Sequence, residues 1–278
     1  MIKLEFIIKK YNDDYYRLIA FKYGNPNNYT NVSNEYMVYE DIPRTTKEFG
    51  QTYTLCDEDG NVLTDRLLFT KKKEHLKRER NINENKLENN LSRAKSKIFQ
   101  YAMCNDFEYF VTLTLDSKKY DRYNLKKFVS DLGHMIRNNR ARKGWNLQYI
   151  LIPEQHKDGA WHLHGLFSHI PSEFLEVNKN GYLDFPQYSK KFGYCSLSKI
   201  KDKNKCASYI TKYVSKDLGD KIEKNHKCYY ASRGLKLPEK VFSGNLDKEL
   251  KYDFENDFVL LKNLNELQFC EFINNYSF

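Results

Sequence analysis

The sequence has few of the residues that mark fibrous, disordered or membrane-spanning proteins. Of its 278 residues only 12 are Gly and 6 are Pro, which excludes collagen-like and low-complexity chains. No stretch approaches the roughly 18 consecutive apolar residues of a transmembrane helix. The six cysteines form no C-x-x-C pair, so we expect reduced thiols instead of disulfides or a zinc site. These features predict a soluble cytoplasmic protein with no membrane partner.

What the chain does have is apolar and aromatic residues, together with an excess of positive charge. Hydrophobic residues make up 40% of the chain, which is enough for a substantial core. The net charge is +9, but from Ser243 to Phe278 seven acids face only three lysines. The basic excess therefore lies in the residues before Ser243. Such an excess suits a polyanionic partner such as DNA or RNA.

Composition divides the chain into four segments. Residues 1–70 combine strand-forming Tyr, Ile, Val and Thr with turn residues, and Cys56–Asn61 is typical of a hairpin tip, so we expect a small β-rich N-terminal appendage. Residues 71–104 contain no Gly or Pro and predict a basic helical connector, whose surface is either solvated or in contact with DNA backbone. Residues 105–242 form the expected core, and residues 243–278 an acidic C-terminal segment.

The core alternates between strand and helix patterns. The predicted strands and helices are a strand at Phe110–Asp116, a helix from Leu125 to Ile136, strands at Leu147–Pro153, Trp161–Ser168 and Gly193–Ile200, and a helix at Lys203–Leu218. A short turn at Lys157–Gly159 joins the second and third strands as a hairpin. This order predicts an α+β fold with an antiparallel sheet of about five strands and flanking helices.

Four of the seven histidines, His156, His162, His164 and His169, fall within fourteen residues. Because strand residues two apart share a face, His162 and His164 project together. Across the hairpin, Glu154 and His156 can face the same way. Two imidazoles and a carboxylate make a three-ligand metal site with open positions. The alternative is a set of polar strand residues on a solvated face.

A second group of residues lies on the last predicted helix. Tyr209 and Tyr213 are four residues apart, so they share a helix face, and Lys212 and Lys216 each follow a tyrosine by three residues. A phenol is a poor nucleophile at neutral pH unless a nearby cation favours the phenolate. The pattern thus predicts nucleophilic tyrosines, although a single such pair also occurs in packing or on a plain surface.

Three motifs in this order resemble those of the HUH endonucleases. They are Phe110–Thr114, then Pro153–Gly165 with the sequence PEQHKDGAWHLHG, then the two Tyr-x-x-Lys pairs. The resemblance is narrowest to the rolling-circle replication initiators of bacteriophages and plasmids, and it spans about residues 90 to 242. The paired tyrosines are similar to those of two-tyrosine phage initiators, and the spacing of Glu154 and His162 is similar to that in geminivirus and circovirus initiators.

This resemblance implies an HUH fold and a metal-dependent, site-specific DNA endonuclease and strand transferase. Mn²⁺ or Mg²⁺ is expected on Glu154, His162 and His164. A tyrosine then attacks single-stranded DNA at an origin, leaving a 5′-phosphotyrosine link and a free 3′-OH. We expect Tyr213 to attack first, with Tyr209 as its partner or alternate.

The lysines Lys216 and Lys212 would hold the phosphate or assist the metal. His156 has three open roles: a metal ligand in place of Glu154, a group that positions a ligand, or a DNA contact.

The expected partners are single-stranded or melted origin DNA, with room for a host helicase and polymerase in the cytoplasm of a bacterial host cell. No ATP-binding P-loop is visible, so strand separation would come from elsewhere. Two other functions stay open: an HUH transposase or relaxase-like strand transferase, and a non-catalytic nucleic-acid-binding protein. Relaxases of this type usually place the tyrosine before the histidines, and here the order is reversed.

Overall fold

The computed structural model describes residues 4–22, 37–39, 52–56, 68–69, 75–178, 181–214, 227–246, 250–256 and 259–275. The strands are β1 (Leu4–Asn12), β2 (Tyr15–Phe21), β3 (Met37–Tyr39), β4 (Thr52–Cys56), β5 (Leu68–Phe69), β6 (Tyr109–Leu115), β7 (Tyr149–Gln155), β8 (Trp161–Phe167), β9 (Glu176–Val177), β10 (Leu183–Asp184), β11 (Gly193–Lys199), β12 (Tyr230–Ala231), β13 (Glu239–Leu246), β14 (Phe254–Glu255) and β15 (Val259–Leu264). The helices are α1 (His75–Cys104), α2 (Leu125–Lys143), α3 (Pro186–Lys191), α4 (Lys203–Ile210) and α5 (Glu266–Asn274), with 3₁₀ helices at Ser172–Phe174 and Thr211–Tyr213.

The chain forms two compact units. The terminal unit consists of Met1–Lys86 and Lys240–Phe278, and the central unit consists of Leu87–Glu239. The terminal unit has a five-stranded sheet in the order β13-β1-β2-β15-β14 and a three-stranded sheet, β3-β4-β5. The acidic segment at the C-terminal end thus supplies strands to a sheet that the N-terminal residues begin.

The five-stranded sheet of the terminal unit is held by one apolar cluster. Phe6 pairs with Ala20 and Ile8 pairs with Leu18 across the β1–β2 hairpin, and all four side chains are buried in that cluster. Helix α5 covers it, with Phe269 stacked on Tyr16 at 4.3 Å between ring centroids. The predicted hairpin tip at Cys56–Asn61 lies, beyond Cys56, outside the described residues.

The central unit contains a seven-stranded sheet in the order β12-β7-β8-β6-β11-β10-β9. Every pairing given for its strands is antiparallel, which confirms the predicted α+β fold with an antiparallel sheet. The sheet has more strands than expected because β9, β10 and β12 have two residues each, too short to leave a period-two pattern. The four long strands, β6, β7, β8 and β11, are those that the pattern predicts.

One face of this sheet is buried and the other is partly open. Along β6 the side chains of Val111, Leu113 and Leu115 are buried, whereas the alternating Phe110, Thr112 and Thr114 are only half-buried. The predicted amphipathic helix is confirmed as α2, whose Leu125, Phe128, Leu132, Met135 and Ile136 are buried. Alternation thus leaves the polar residues of β6 on the open face.

The hairpin β7–β8 depends on two glycines. Gly159, in the predicted turn, has φ of 85°, a conformation that L side chains rarely adopt. Gly165 lies within β8, where a Cβ would meet the carbonyl oxygen of Ile150 at 2.2 Å. Only glycine lets these strands approach as closely as they do.

The predicted helix at Lys203–Leu218 is shorter than expected. Its α-helical part ends at Ile210, and Thr211–Tyr213 tighten into a 3₁₀ helix. Thr211 contributes to this change, since its hydroxyl donates to the carbonyl of Ser208 at 2.7 Å. Residues 215–218 lie outside the described residues.

Within the described parts of the chain, none of the helices combines the length and the apolar character needed to cross a bilayer.

Candidate active site

Three neighbouring strands bring the predicted ligands onto the open face of the sheet. In the register of β6, β8 and β7, His162 lies opposite Thr114 on one side and Glu154 on the other. His164 lies opposite Thr112 and Ile152. Because paired residues of antiparallel strands share a face, both histidines, both threonines and Glu154 point to the same side.

The two threonines orient the two imidazoles. The Thr114 hydroxyl lies 3.0 Å from Nδ1 of His162, and the Thr112 hydroxyl lies 3.2 Å from Nδ1 of His164. Holding Nδ1 fixes each ring and leaves Nε2 as the nitrogen aimed away from β6. This is the arrangement of a histidine whose ring is positioned for a ligand by a neighbouring polar group.

Glu154 contacts His164 and not His162. Its Oε2 lies 2.7 Å from Nε2 of His164. A carboxylate only accepts, so His164 Nε2 carries the proton of this hydrogen bond and Nδ1 accepts from the Thr112 hydroxyl. One proton therefore lies between the two donor atoms that a cation would share.

His162 has a different neighbour. Its ring stacks on that of His156, with centroids 3.6 Å apart and planes inclined by 15°. Burial, together with the nearby imidazoles of His156 and His164, lowers the pKa of His162 to about 4. Burial also lowers the pKa of His164, although the hydrogen bond to Glu154 opposes that shift. Both imidazoles are thus neutral at pH 7, the form that binds a metal.

These residues fit a divalent cation by the chemistry of their donors, two neutral imidazoles and one carboxylate. The contact between Glu154 and His164 brings two of the three predicted ligands together. His162 lies on the same face but is stacked against His156, and among the described residues no three His, Cys, Asp or Glu side chains are gathered to hold a metal. His169, the fourth clustered histidine, pairs with Glu108 at 2.9 Å and takes no part in this group.

The two predicted tyrosines lie over the same face. The Tyr213 ring stacks on His164, with centroids 4.0 Å apart and planes inclined by 13°. The hydroxyls of Tyr209 and Tyr213 are 3.2 Å apart. The structure therefore gathers both tyrosines, His164 and Glu154 into one site.

Only one of the two predicted lysines is among the described residues. Nζ of Lys212 lies 3.5 Å from the ring centroid of Tyr209 and 5.2 Å from that of Tyr213, so a single cation serves both rings. Lys216 lies outside the described residues.

The two phenols differ in acidity. Hydrogen bonding from Lys212, and then from Tyr213, lowers the pKa of Tyr209. Burial raises the pKa of Tyr213, and the neighbouring Tyr209 adds to that shift. Tyr209 is also 47% exposed, whereas Tyr213 is half-buried. Tyr209 is therefore the phenol that ionises more readily.

Sequence reasoning missed one residue of the site. The ring of Phe110 lies 5.6 Å from Tyr209, 6.3 Å from Tyr213 and 6.4 Å from His164, measured between centroids, so it supports all three. The available signal was its period-two relation to Thr112 and Thr114 in β6, which places it on their face.

One comparison with known proteins covers this site. No curated protein matches the chain, and no solved structure does. Residues 108–218 match the model of a protein family described as a replication-associated protein of the ORF2 type. The matched range includes β6, β7, β8 and α4, and so every described residue of the site. The central unit is therefore similar to replication-associated proteins, which supports a role in the initiation of replication.

Proposed function

We propose that this protein is a rolling-circle replication initiator of the HUH type, which nicks and rejoins single-stranded DNA at an origin. One observation carries the proposal: Tyr213 stacks on His164, which is hydrogen-bonded to Glu154, in the part of the chain that matches replication-associated proteins. A tyrosine beside a histidine and carboxylate pair has the parts needed for covalent phosphoryl transfer.

In the nicking step, the phenolic oxygen of one tyrosine attacks the phosphorus of the scissile phosphodiester. The new bond is Tyr O–P, and the bond that breaks is P–O3′. The phenolic proton passes to solvent, and the departing 3′ oxygen takes a proton from solvent. The products are a 5′-phosphotyrosine and a free 3′-OH, and attack by a 3′-OH on phosphorus reverses the step. No external energy source is needed, because one phosphoester replaces another.

A divalent ion fits this chemistry. Glu154, His162 and His164 would hold Mn²⁺ or Mg²⁺, which polarises a phosphate oxygen and offsets negative charge in the transition state. The oxygen-rich substrate and the mixed imidazole and carboxylate donors suit either ion. Thr112 and Thr114 keep the two imidazoles in place for this task.

The residues of this chain divide the remaining work. Lys212 stabilises the phenolate of Tyr209, which supports Tyr209 as a nucleophile in addition to Tyr213. The 3.2 Å separation of their hydroxyls lets either oxygen reach a phosphate held at the same place. We therefore propose that the two tyrosines act in turn, one to nick the strand and one to transfer it.

The experiment is to incubate the protein with Mn²⁺ and a pool of labelled single-stranded DNA, followed by denaturing electrophoresis and peptide mass analysis. We expect a DNA-linked species that maps to Tyr213 or Tyr209. The Tyr209→Phe/Tyr213→Phe double variant should lose that species while still binding DNA. Tyr182→Phe is the matched control, since Tyr182 is exposed and lies outside the site.

The outcomes separate the candidate mechanisms. Cleavage without a covalent adduct, or cleavage that survives in the double variant, would remove the tyrosines from the mechanism. Full cleavage in excess chelator would remove the metal. DNA binding with no cleavage under any metal would favour a non-catalytic nucleic-acid-binding protein.

A further inference from the structure

A groove of ≈ 700 Å³ lies between α1 and the β12 edge of the central sheet. Arg93, Lys97 and Tyr101 follow one another at intervals of four along α1, so they form one stripe on the helix. The opposite wall is the segment from Lys227 to Ser232. The volume is within the range of binding sites for small organic groups.

The groove is positively charged. Three cations, Arg93, Lys97 and Lys227, line it, and no acidic side chain does so among the described residues. None of the three forms an ion pair with a described acid. Cations that are not neutralised within the protein are available for an anionic ligand.

The groove is also aromatic. Tyr101, Tyr149, Tyr229 and Tyr230 line it, and each is half-buried, so part of every ring stays accessible. Burial raises the pKa of Tyr149, Tyr229 and Tyr230, so these phenols stay neutral at pH 7 and do not repel phosphate. Nζ of Lys97 lies 5.3 Å from the Tyr101 ring centroid, which places a charge beside a stacking surface.

The wall formed by β12 is fixed in position. The backbone N–H of Tyr149 donates to the Ser232 hydroxyl at 2.9 Å, and the N–H of Ser232 donates to the Tyr149 carbonyl at 3.0 Å. Two hydrogen bonds thus join this segment to β7. A pre-formed groove loses little entropy when it binds a ligand.

The groove lies on the opposite face of the sheet from the candidate active site. Tyr149 and Glu154 are five residues apart in β7, so their side chains project to opposite faces. Tyr230 pairs with Leu151, which shares the face of Tyr149. The groove is therefore a separate site.

We propose that this groove binds a second segment of single-stranded DNA, with its bases against the tyrosines and its phosphates on Arg93, Lys97 and Lys227. Cations interleaved with aromatic rings are what an unpaired strand needs, because base stacking requires unpaired bases and the backbone requires positive charge. The inference rests on the proposed function for the identity of the strand. The groove holds DNA away from the site of attack, on the far side of the sheet.

The test measures the affinity of the full-length chain for a fluorescein-labelled oligo-dT over a range of salt concentrations. The Arg93→Ala/Lys97→Ala/Lys227→Ala variant should lower the slope of log K against log [salt] by about 2, since each phosphate contact to a single strand contributes about 0.7. The Lys126→Ala/Arg142→Ala/Lys190→Ala variant removes the same charges from exposed positions outside the groove, and its slope should stay closer to that of the wild type.

The aromatic part is tested separately. Tyr229→Leu should weaken oligo-dT binding about fivefold or more, the effect of losing one stacked base. A duplex of equal length should lose less affinity than oligo-dT does. An equal loss for duplex and single strand would overturn the assignment of the groove to unpaired DNA.

Two results distinguish this inference from the proposed function. Wild-type protein that never nicks DNA, combined with a groove variant that loses oligo-dT affinity, would remove the nuclease and leave the groove as a strand-binding site. A groove triple variant with the affinity and salt slope of its control would overturn the groove, whether or not the protein nicks DNA.

Discussion

Replacing Gly165 by alanine should destabilise the hairpin that carries the candidate metal ligands. A Cβ at this position would lie 2.2 Å from the carbonyl oxygen of Ile150 and 2.6 Å from Cδ2 of Leu151. Ordinary contacts of this kind begin near 3.4 Å, so the carbonyl must move by about 1 Å. A carbonyl in the middle of the β7–β8 ladder cannot move so far without lengthening its hydrogen bonds.

The expected loss follows from two opposing contributions. Overpacking in a core costs about 1–3 kcal/mol, and a backbone neighbour that cannot rotate away places this site at the upper end. Alanine regains about 0.5–1 kcal/mol by restricting the unfolded chain. We therefore expect Gly165→Ala to lower the free energy of unfolding by about 2 kcal/mol.

Gly133→Ala is the matched control. In α2, a Cβ at Gly133 would meet only the terminal nitrogen of Arg137 at 3.2 Å, the end of a flexible side chain. Glycine within a helix is less favourable than alanine by about 0.5–1 kcal/mol, so this variant should gain stability by about that amount. The same chemical change thus has opposite signs at the two positions.

Urea unfolding followed by tryptophan fluorescence measures both variants. The chain has two tryptophans, Trp145 and Trp161, and both lie in the central unit, so the signal reports on that unit. The midpoint for Gly165→Ala should fall by roughly 1 M, given slopes of about 1–3 kcal/mol per M. A Gly165→Ala midpoint at or above that of the wild type would refute the close approach of β7 and β8.

Three further predictions concern the site and its support. Thr114→Val removes the hydroxyl on Nδ1 of His162 and should weaken Mn²⁺ binding about 10- to 100-fold by calorimetry; Thr114→Ser should retain it, and equal affinity in both variants would contradict the role of the hydroxyl. Lys212→Met removes the cation that lowers the pKa of Tyr209, so the rising limb of the nicking pH profile should move to higher pH, whereas Lys212→Arg should not move it. Asn105→Ala leaves the buried carbonyls of Tyr101 and Lys236 without this donor, which should cost about 1–3 kcal/mol in urea unfolding, and an unchanged midpoint would count against it.

The sequence was informative wherever one local period decided the outcome. The alternation in Phe110–Asp116 predicted β6, and the helical spacing from Leu125 to Ile136 predicted α2 and its buried face. Likewise, the two-residue spacing of His162 and His164 was enough to place both on one face. The glycine at 159 marked the turn of their hairpin.

The partners of these residues were not predictable in the same way. Thr112 and Thr114 were expected to support the site, but the hydrogen bonds to His164 and His162 depend on the register of β6 against β8, which joins residues about 50 positions apart. The change from α4 to a 3₁₀ helix before Tyr213 depends on a side-chain hydrogen bond that competes with the helix. No period in the sequence records either.

The largest difference concerns the ends of the chain. Composition separated a β-rich N-terminal appendage from an acidic C-terminal segment, whereas β15 pairs with β2 along six residue pairs and completes its sheet. Local backbone geometry repeats every few residues, so a single segment records it and the sequence alone determined the elements and the spacing of the site residues. Pairing between distant segments depends instead on the apolar area and hydrogen bonds that both gain together, and only the tertiary structure decided those partners.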